Sequence, residues 1–332
     1  MIRLAPEIII DKLTEILISR KFSESRSREI AEVFVQNSLE GVYSHGINRF
    51  KRFLDYVEKG MVVPNADPTI KSENNGIQQW EGNRGPGITN ALVAVESAMK
   101  LSDQYGIACI ALANTNHWMR GGTYGRIAAK KGYVFIGWTN TIANLPAWGA
   151  IDRRLGNNPL VMAIPGKDPV VIDMAMSQYS YGKLEDLQLK KEHLPLPGGY
   201  NEKGELSDDP GAILDAGRPI PIGYWKGAGL SLLLDIMSTI LSDGLSTVEL
   251  SKQGLESGVS QIFICINTED LRRSRNIAET VKLIIDDYKN SIPESEGVNI
   301  IYPGERTNDI VNENKELGIP ILQSVWDEII NS

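Results

Sequence analysis

Five short apolar runs in the middle of the chain constrain its fold more than any other feature. They read IACIAL (107–112), YVFIGW (133–138), NPLVMAIP (158–165), PVVID (169–173) and SQIFICIN (260–267). Helix-like segments such as NALVAVESAMKLSDQYG (90–106) alternate with them along the chain. Continuous apolar runs of this length are typical of strands that are covered on both faces. The sequence therefore predicts an α/β protein with helices on both faces of a central sheet.

The two ends of the chain show helical periodicity. Residues 7–19 carry an apolar stripe at helical spacing, formed by Ile8, Ile9, Leu13, Ile16 and Leu17. Ser25 is the predicted N-cap of a second helix, and NRFKRFLDYVEK (48–59) predicts a third. We therefore expect a helical N-terminal segment (1–70), a central α/β domain (71–274) and a C-terminal segment (275–332) that packs with the N-terminal part.

Two consecutive segments in the second half of the chain depart from the alternation of strands and helices. Residues 191 to 224 are rich in Pro, Gly and acidic residues and predict a long irregular excursion. The segment GAGLSLLLDIMSTILSDG (227–244) is apolar on nearly every side at helical spacing. A helix of this kind is buried either in the core or in a subunit interface.

Charge and cysteine content argue against several classes of partner. The formal net charge is −8, and no basic block interleaved with aromatic residues occurs. We therefore expect neither nucleic acid nor a membrane surface as a partner. No apolar run reaches the roughly 18 residues of a membrane span. Cys109 and Cys265 lie in strand-like runs, which predicts buried free thiols in a cytoplasmic protein.

The stretch GVYSHGINRF (41–50) is the first candidate for chemistry. If a helix begins near residue 44, His45 and Arg49 are four residues apart and project from one face. The arginine suits a carboxylate and the imidazole can transfer a proton near neutral pH, so the pair suits a 2-keto or 2-hydroxy acid. The alternative is a helix cap by Ser44 beside two ordinary surface residues. Side chains of helix neighbours diverge by about 100°, so we do not expect Ser44 and His45 to form a nucleophile dyad.

A second candidate, NTNHWMRGGTYG (114–125), follows the predicted strand IACIAL, at the edge where α/β proteins place ligands. It brings His117 and Arg120 together with two glycines. The helix predicted after Thr123 offers free N–H groups to an anion. The alternative is a turn in which the histidine and the tryptophan only pack.

Two further stretches are candidates for contact with a phosphate or a ribose. Asp173 ends a predicted strand in VVIDMAMSQYSYGK (170–183), although an acid in this position is more often a helix cap. Trp225 and Lys226 stand between glycines in GYWKGAG (223–229), but neither GxxxxGK[ST] nor GxGxxG after a strand occurs. The three histidines are far apart in sequence and no metal-binding spacing occurs, so no metal is expected.

Together these motifs resemble the type-2 malate/L-lactate dehydrogenase family. The resemblance covers nearly the whole chain, with GVYSHGINRF, NHWMRGGTYG, GWTNTIANLPAWGA, VIDMAMSQYSYGK and GYWKGAGLSLLLDIMSTILSDG in the same order. It implies an NAD(P)H-dependent reductase with a central mixed sheet, a non-Rossmann nucleotide-binding body and flanking helical segments. It also implies a homodimer with its site near the subunit interface. NADH is the expected cofactor, with NADPH left open.

The resemblance also implies roles for individual residues. His45 is the expected proton donor to the keto oxygen and Arg49 the expected carboxylate ligand. Ser44 is expected to orient the substrate or His45, and His117 to line the same pocket. The expected cofactor-binding residues lie in three places along the chain: Pro169, Val170, Val171, Ile172, Asp173, Met174, Ala175, Trp225, Lys226, Gly304, Glu305 and Arg306. Many relatives have DMATS where this chain has DMAMS (173–177), which removes one hydroxyl.

The expected reaction is hydride transfer to the C2 keto carbon of a 2,3-diketo sugar acid, with His45 protonating the oxygen. The alternatives within the family are oxidation of malate, lactate, sulfolactate or ureidoglycolate, and the pocket around the substrate tail decides between them. The candidates for binding tail hydroxyls are Arg120, Thr139, Asn140, Thr141 and Asn144, of which we assign Asn140 to the substrate site.

Two alternatives lie outside this reaction class. One is a non-catalytic sugar-acid-binding protein, against which the intact pair of His45 and Arg49 argues. The other is a Ser/His hydrolase, against which the absence of a G-x-S-x-G elbow argues.

Overall fold

A computed structural model of the chain describes residues 1–166, 168–269, 271 and 275–332. The N-terminal part contains β1 (Ile2–Leu4), α1 (Pro6–Ser19), α2 (Glu24–Leu39) and α3 (Phe50–Glu58). The central part contains β2 (Thr69–Asn74), β3 (Ile77–Glu81), α4 (Gly87–Tyr105), β4 (Ile107–Thr115), α5 (Gly121–Lys130), β5 (Tyr133–Thr139), β6 (Ala143–Pro146), β7 (Arg153–Gly156), β8 (Leu160–Ile164), β9 (Val170–Met174), α6 (Tyr181–Lys190), β10 (Gly199–Tyr200), β11 (Leu206–Ser207), α7 (Pro210–Ala216), β12 (Arg218–Pro219), α8 (Trp225–Ser242), α9 (Thr247–Lys252) and β13 (Val259–Asn267). The C-terminal part contains α10 (Ile277–Lys289), α11 (Thr307–Leu317), β14 (Ile319–Ile321) and α12 (Gln323–Ile330).

The central sheet is mixed, as predicted. Within the described residues it has seven strands in the order β2-β3-β4-β13-β5-β8-β9. The pair of β3 and β4 is parallel, and the other neighbouring pairs are antiparallel. The five apolar runs form the five adjacent strands from β4 to β9. Because a Rossmann sheet is doubly wound and parallel, this order confirms the non-Rossmann prediction.

Helices cover both faces of this sheet, which confirms the fold class. On one face, α4 and α5 pack against a core that includes Tyr124, Phe135 and Phe263. On the other face, α8 packs against a core that includes Trp138 and Ile262. The consecutive residues Ile262 and Phe263 of β13 point to opposite faces, as the two-residue period of a strand requires.

The two ends of the chain lie together. The first strand, β1, pairs antiparallel with β14 near the C-terminus, and α11 contacts α2. Helices α1 to α3 enclose a separate core that contains Leu13, Phe34 and Phe50. Residue 274, the predicted boundary of the C-terminal segment, lies outside the described residues. The division into three domains stays a prediction.

Two details of the N-terminal helices differ from the prediction. The N-cap of α2 is Ser23, not Ser25, and its hydroxyl accepts a hydrogen bond from the backbone N–H of Arg26 at 3.4 Å. Ile8 is exposed, whereas Ile9 is fully buried. The predicted N-cap is wrong by two positions and the predicted edge of the buried stripe by one. Periodicity alone does not fix where a helix begins.

The predicted irregular excursion is only partly irregular. Between residues 199 and 219, the strands β10, β11 and β12 form a small antiparallel sheet, and α7 lies among them. A separate apolar cluster ties this unit to α6 through Leu184, Leu194 and Ile213. Strands of two residues are too short to produce a detectable alternation in the sequence, which is why the prediction failed here.

Helix α8 forms as predicted but is not buried on all sides. Leu234 is buried against the sheet. Five apolar residues on its outer side are between 38% and 70% exposed: Leu232, Leu233, Ile236, Met237 and Ile240. These five residues are not in the core, so of the two predicted alternatives only a subunit interface would bury them. No helix among the described residues is long and apolar enough to cross a membrane.

Candidate active site

A cavity of about 460 Å³ lies between the N-terminal segment and the central sheet. We call it the polar cavity. Its walls come from the segment before α3, the start of α5, the ends of β5 and β9, and the loop before β13. It gathers four of the five residues that the sequence assigned to the catalytic and substrate roles: Ser44, His45, Arg49 and His117.

The backbone that carries these residues is not the α-helix predicted from residue 44. It forms two 3₁₀ turns, Tyr43–His45 and Ile47–Arg49, separated by Gly46 with ψ of −136°. Gly46 lies directly against α2, since a Cβ there would sit 2.1 Å from the Ser38 hydroxyl. That hydroxyl accepts a 2.8 Å hydrogen bond from the N–H of Ile47. Close contact with α2 therefore breaks the helix, yet His45 and Arg49 still line the same cavity.

Ser44 and His45 are in contact, which corrects the prediction that their side chains diverge. The Ser44 hydroxyl and the Nδ1 atom of His45 lie 3.0 Å apart. The prediction assumed α-helical geometry, which this segment does not have. Because Nδ1 is held by Ser44, the Nε2 edge of the imidazole is left for other contacts.

The charge state of His45 is set by its surroundings. Burial, followed by the positive charges of Arg49 and Arg120, lowers the pKa of His45 to about 4. The imidazole is therefore neutral at neutral pH while no anion lies beside the arginines. A negative charge placed against Arg49 opposes this effect and raises the pKa of His45 again.

His117 stacks on His45 with a ring-centroid distance of 5.9 Å. Its Nδ1 atom accepts a 2.9 Å hydrogen bond from the N–H of Met119, so its proton lies on Nε2. Burial lowers the pKa of His117 well below its usual value, and the charges of Arg49 and His45 lower it further. His117 is thus a fixed, neutral hydrogen-bond donor in the cavity wall.

Arg49 is a half-buried cation in the same wall. Burial and the neighbouring Arg52 lower the pKa of Arg49, whereas the carboxylate of Glu256 opposes the change. Arg52 and Glu256 also line the polar cavity, and the sequence analysis gave neither a role. Arg52 lies one helical turn after Arg49 on α3. Glu256 has no short motif to mark it, because it meets Arg49 only through folding of the loop before β13.

Arg120 reaches the cavity from the start of α5 and is held from behind by Glu40. Glu40 forms ion pairs with Arg120 and, at 3.5 Å, with Arg126. The Glu40 side chain is only 4% exposed, so this pairing compensates a buried charge. Glu40 is the last residue before Gly41 and was missed, since an acid at a helix end has no distinctive signal.

Asp173 occupies the N-terminus of α5. Its carboxylate accepts a 2.7 Å hydrogen bond from the N–H of Gly122. The helix begins at Gly121, so the prediction of free N–H groups after Thr123 is wrong: the protein supplies its own anion there. Burial raises the pKa of Asp173, while the charge of Arg120 and this hydrogen bond act against the rise. Asp173 is thus a helix cap that also lines the cavity.

Asn140 does not line the polar cavity, so its assignment to the substrate site is corrected. Its side chain is fully buried, and its amide donates to Asp235 and to the carbonyl of Leu245. Its Oδ1 atom accepts from the N–H of Ser260. All of its hydrogen-bonding capacity connects β5 to β13 and α8. Thr139, Thr141 and Asn144, its predicted companions, do line the cavity.

The predicted cofactor residues fall into two groups. Residues 169–175 follow β9 toward the cavity, where Asp173 and Ala175 line the wall. The turn at 303–306 lies against the same strand, because the N–H of Val171 donates to the carbonyl of Pro303 at 3.3 Å. Trp225 and Lys226, in contrast, are exposed at the start of α8 and do not line the polar cavity.

The position where relatives have Thr in DMATS is filled here by Met176. Its side chain is completely buried in the core under α8. The missing hydroxyl therefore leaves an apolar packing contact and no gap.

One observation, an unpartnered acceptor, fits a nicotinamide cofactor in this region. The Oδ1 atom of Asn144 is buried, lines the cavity and has no hydrogen-bond partner, so it offers an acceptor to a carboxamide or hydroxyl donor. Gly304 has φ of +89°, and a Cβ there would lie 3.3 Å from the carbonyl of Pro169. A side chain at residue 304 would therefore crowd β9.

Comparison with known proteins covers the whole chain. The sequence profile of the family described as malate/L-lactate dehydrogenase matches residues 5–330. The chain is 41% identical over 315 residues to a 2,3-diketo-L-gulonate reductase from Salmonella paratyphi B, which is 95% of each protein.

Two solved structures resemble the fold. A sulfolactate dehydrogenase from Methanocaldococcus jannaschii superimposes with a TM-score of 0.87 at 28% identity, covering 99% of this chain and 95% of that one. A malate dehydrogenase from Entamoeba histolytica superimposes with a TM-score of 0.93 at 24% identity, covering 99% and 96%. The relatives thus share one fold, while the substrates in their names differ.

Proposed function

The chain belongs to the malate/L-lactate dehydrogenase family, and on that premise we propose that it reduces the C2 keto group of 2,3-diketo-L-gulonate to 3-keto-L-gulonate. Membership makes it an oxidoreductase that acts on a 2-keto or 2-hydroxy acid. One observation carries the mechanism: a histidine and an arginine, His45 and Arg49, line one cavity with the histidine held by Ser44. The choice of substrate is supported by the 41% identity to a 2,3-diketo-L-gulonate reductase.

Arg49 binds the substrate carboxylate. A guanidinium makes two parallel hydrogen bonds to a carboxylate, which fixes the plane of the adjacent keto group. His117 donates from Nε2 on the same side of the cavity and orients the keto acid with Arg49. Positioning of this kind accounts for a large part of the rate of a two-substrate reaction.

His45 supplies the proton to the keto oxygen. In the ligand-free protein its pKa is about 4, so at neutral pH the imidazole is neutral and lacks the second proton of the imidazolium. The substrate carboxylate neutralises the field of Arg49 and raises that pKa, so His45 takes up a proton as the keto acid binds. The protonated imidazole then transfers it to the oxygen as negative charge develops there, a contribution of roughly 10²–10⁴-fold.

A nicotinamide cofactor, NADH or NADPH, supplies the hydride when it is bound. The residues that would hold it are those of β9 and its continuation, with Asp173 and Ala175 at the cavity, together with the turn at 303–306. The unpartnered acceptor on Asn144 is available to a donor on the same group. Trp225 and Lys226 would reach the cofactor outside the polar cavity.

A second candidate function is oxidation of a 2-hydroxy dicarboxylate such as malate. It is favoured by one observation, the second arginine, Arg52, in the wall beside Arg49. Two arginines could bind two acid groups. We rank it second because Glu256 lies against the same pair and offsets the added positive charge.

We also propose a homodimer in the cytoplasm. The apolar outer side of α8 supports the homodimer, since water contact with five large side chains is unfavourable for a lone chain. The two cysteines support a reducing compartment. Both are free, as predicted, with Cys265 buried and Cys109 half-buried. Burial raises their pKa values to about 12 and about 11, so neither is a reactive thiolate.

The substrate is tested by comparing keto acids. NADH consumption by the purified protein is measured with 2,3-diketo-L-gulonate, pyruvate and oxaloacetate. We expect kcat/KM for diketogulonate to exceed the other two by at least about tenfold, since a hydroxylated tail is recognised by hydrogen bonds. A preference for oxaloacetate would support the second candidate function, malate oxidation, instead. No turnover with any keto acid would overturn the proposal.

A further inference from the structure

Glu256 is a carboxylate in the polar cavity to which neither the expected reaction nor the family motifs give a role. It lies in the loop between α9 and β13, and its side chain is 15% exposed. The loop is fixed directly after it: the Ser257 hydroxyl donates to Asn116 at 2.9 Å, and the N–H of Gly258 donates to the carbonyl of Thr115 at 2.9 Å. Glu256 is therefore held at this place by the fold.

The surroundings of Glu256 are the substrate-binding groups themselves. Its Oε1 atom lies 3.9 Å from Nε2 of His117, the atom that carries the proton of that imidazole. Burial raises the pKa of Glu256, and the charges of Arg49 and Arg52 oppose this rise. With Arg49 bound to the substrate carboxylate, Glu256 faces the rest of the substrate together with His117 and Arg52.

We propose that Glu256 determines which 2-keto acids the cavity accepts, by admitting a hydroxylated tail and excluding a second acid group. The inference rests on the proposed function, whose substrate class it narrows. Hydroxyl groups of a sugar-acid tail donate hydrogen bonds to the carboxylate of Glu256. A second carboxylate or a sulfonate meets a like charge there, and such juxtaposition is costly in a partly desolvated site.

The charge balance of the cavity supports the same conclusion. Two arginines, Arg49 and Arg52, line the wall on this side, and the carboxylate of Glu256 lies near them and 3.9 Å from His117. Glu256 therefore offsets one of the two positive charges. The remaining positive charge matches a single carboxylate on the substrate. The other acid on this side, Glu185, is exposed on α6 at the rim, so Glu256 acts inside the cavity.

The test is a change of specificity in Glu256→Gln, which keeps the shape of the side chain and removes its charge. We expect the ratio of kcat/KM for 2,3-diketo-L-gulonate to that for oxaloacetate to fall by about 10- to 100-fold, mainly through KM. Glu316→Gln, at an exposed position of α11, is the matched control for loss of one negative charge and leaves the ratio unchanged. An unchanged ratio in a folded Glu256→Gln protein would overturn the proposal.

A second variant keeps the proposal testable if the glutamine protein does not fold. Glu256→Asp retains the charge but withdraws it by one methylene. We expect KM for diketogulonate to rise several-fold while oxaloacetate remains a poor substrate. Acceptance of oxaloacetate by the aspartate variant would contradict a role for the charge.

Binding separates this inference from the proposed reaction. The NADH-loaded protein is titrated with L-gulonate and with L-malate, two hydroxy acids that NADH cannot reduce. We expect the wild type to bind L-gulonate more tightly and Glu256→Gln to gain affinity for L-malate by about tenfold or more. This binding result does not depend on turnover. If no keto acid is turned over, only the proposed reaction is overturned, and the role of Glu256 can still be judged from the two affinities. Equal preference for the two acids in both proteins would overturn the role of Glu256.

Discussion

At the scale of single residues, the low pKa of His45 is the feature that most constrains the chemistry. A proton donor with a pKa of about 4 is deprotonated in nearly every free molecule at neutral pH. Burial is the largest cause of the low pKa, and the charges of Arg49 and Arg120 add to it. Arg49 also attracts the substrate carboxylate. Substrate binding and protonation of His45 are therefore linked, because each favours the other.

This linkage predicts different pH profiles for kcat/KM and kcat. The free enzyme needs a protonated His45, so kcat/KM for reduction should fall about tenfold per pH unit as pH rises above about 4. The kcat profile should stay flat to higher pH, because bound substrate raises the pKa. Calorimetric titration of the NADH-loaded protein with a hydroxy acid, in buffers of different ionisation enthalpy, should show proton uptake. A kcat/KM that does not change with pH would contradict the linkage.

The geometry of Arg49 predicts that charge alone is not sufficient at this position. Arg49→Lys keeps a cation but loses the bidentate contact with a carboxylate. KM for keto acids should rise by about tenfold or more, while kcat changes less. Arg154→Lys, at an exposed position outside the cavity, is a matched control. Unchanged kinetics for Arg49→Lys would exclude Arg49 as the carboxylate ligand.

At the scale of elements, the sequence identified which residues meet in the cavity more reliably than the backbone that carries them. A helix from residue 44 would have placed His45 and Arg49 on one face, and so do the two 3₁₀ turns. The turns arise because Gly46 presses against Ser38 and Phe34 of α2. Such a close backbone contact between Gly46 and the preceding helix has no signature in local periodicity.

The close contact at Gly46 predicts a sensitive position. In Gly46→Ala, the new methyl group would lie 2.1 Å from the hydroxyl and 2.8 Å from the backbone N of Ser38. The turns must move, and we expect a loss of about 1–3 kcal/mol of unfolding free energy together with reduced kcat. Gly166→Ala is the control, since the nearest atom to a Cβ there lies at an ordinary contact distance of 3.5 Å. Equal stability of Gly46→Ala and wild type in urea unfolding would contradict the crowding.

At the scale of the whole molecule, the apolar runs were sufficient to predict a sheet covered on both faces but not its strand order. The run SQIFICIN forms β13, which inserts between β4 and β5 although more than a hundred residues separate it from them. Such pairing depends on long-range packing. Long-range packing also brings Glu256, which lies between α9 and β13, into the cavity, and no sequence motif predicts this. His45 and Arg49, in contrast, lie within one short stretch and could be predicted together.

The outer side of α8 predicts the state of association. If it lies in a homodimer interface, Leu233→Glu with Ile240→Glu should give a monomer by sedimentation velocity where the wild type gives a dimer. These side chains are 55% and 70% exposed in the single chain, so the substitutions should leave the protomer folded. Ile292→Glu, at a residue that is 94% exposed, serves as the control. A dimer that survives the double substitution would place the interface elsewhere.

The central claim, that the polar cavity reduces a keto acid with His45 as the proton donor, is tested most directly by turnover of His45→Ala. The control is His193→Ala, whose side chain is exposed and lies outside the cavity. We predict that kcat for 2,3-diketo-L-gulonate falls by roughly 10²–10⁴-fold in His45→Ala, with the Kd for NADH unchanged in a fluorescence titration. A kcat within a few-fold of wild type, or loss of NADH binding along with turnover, would contradict it.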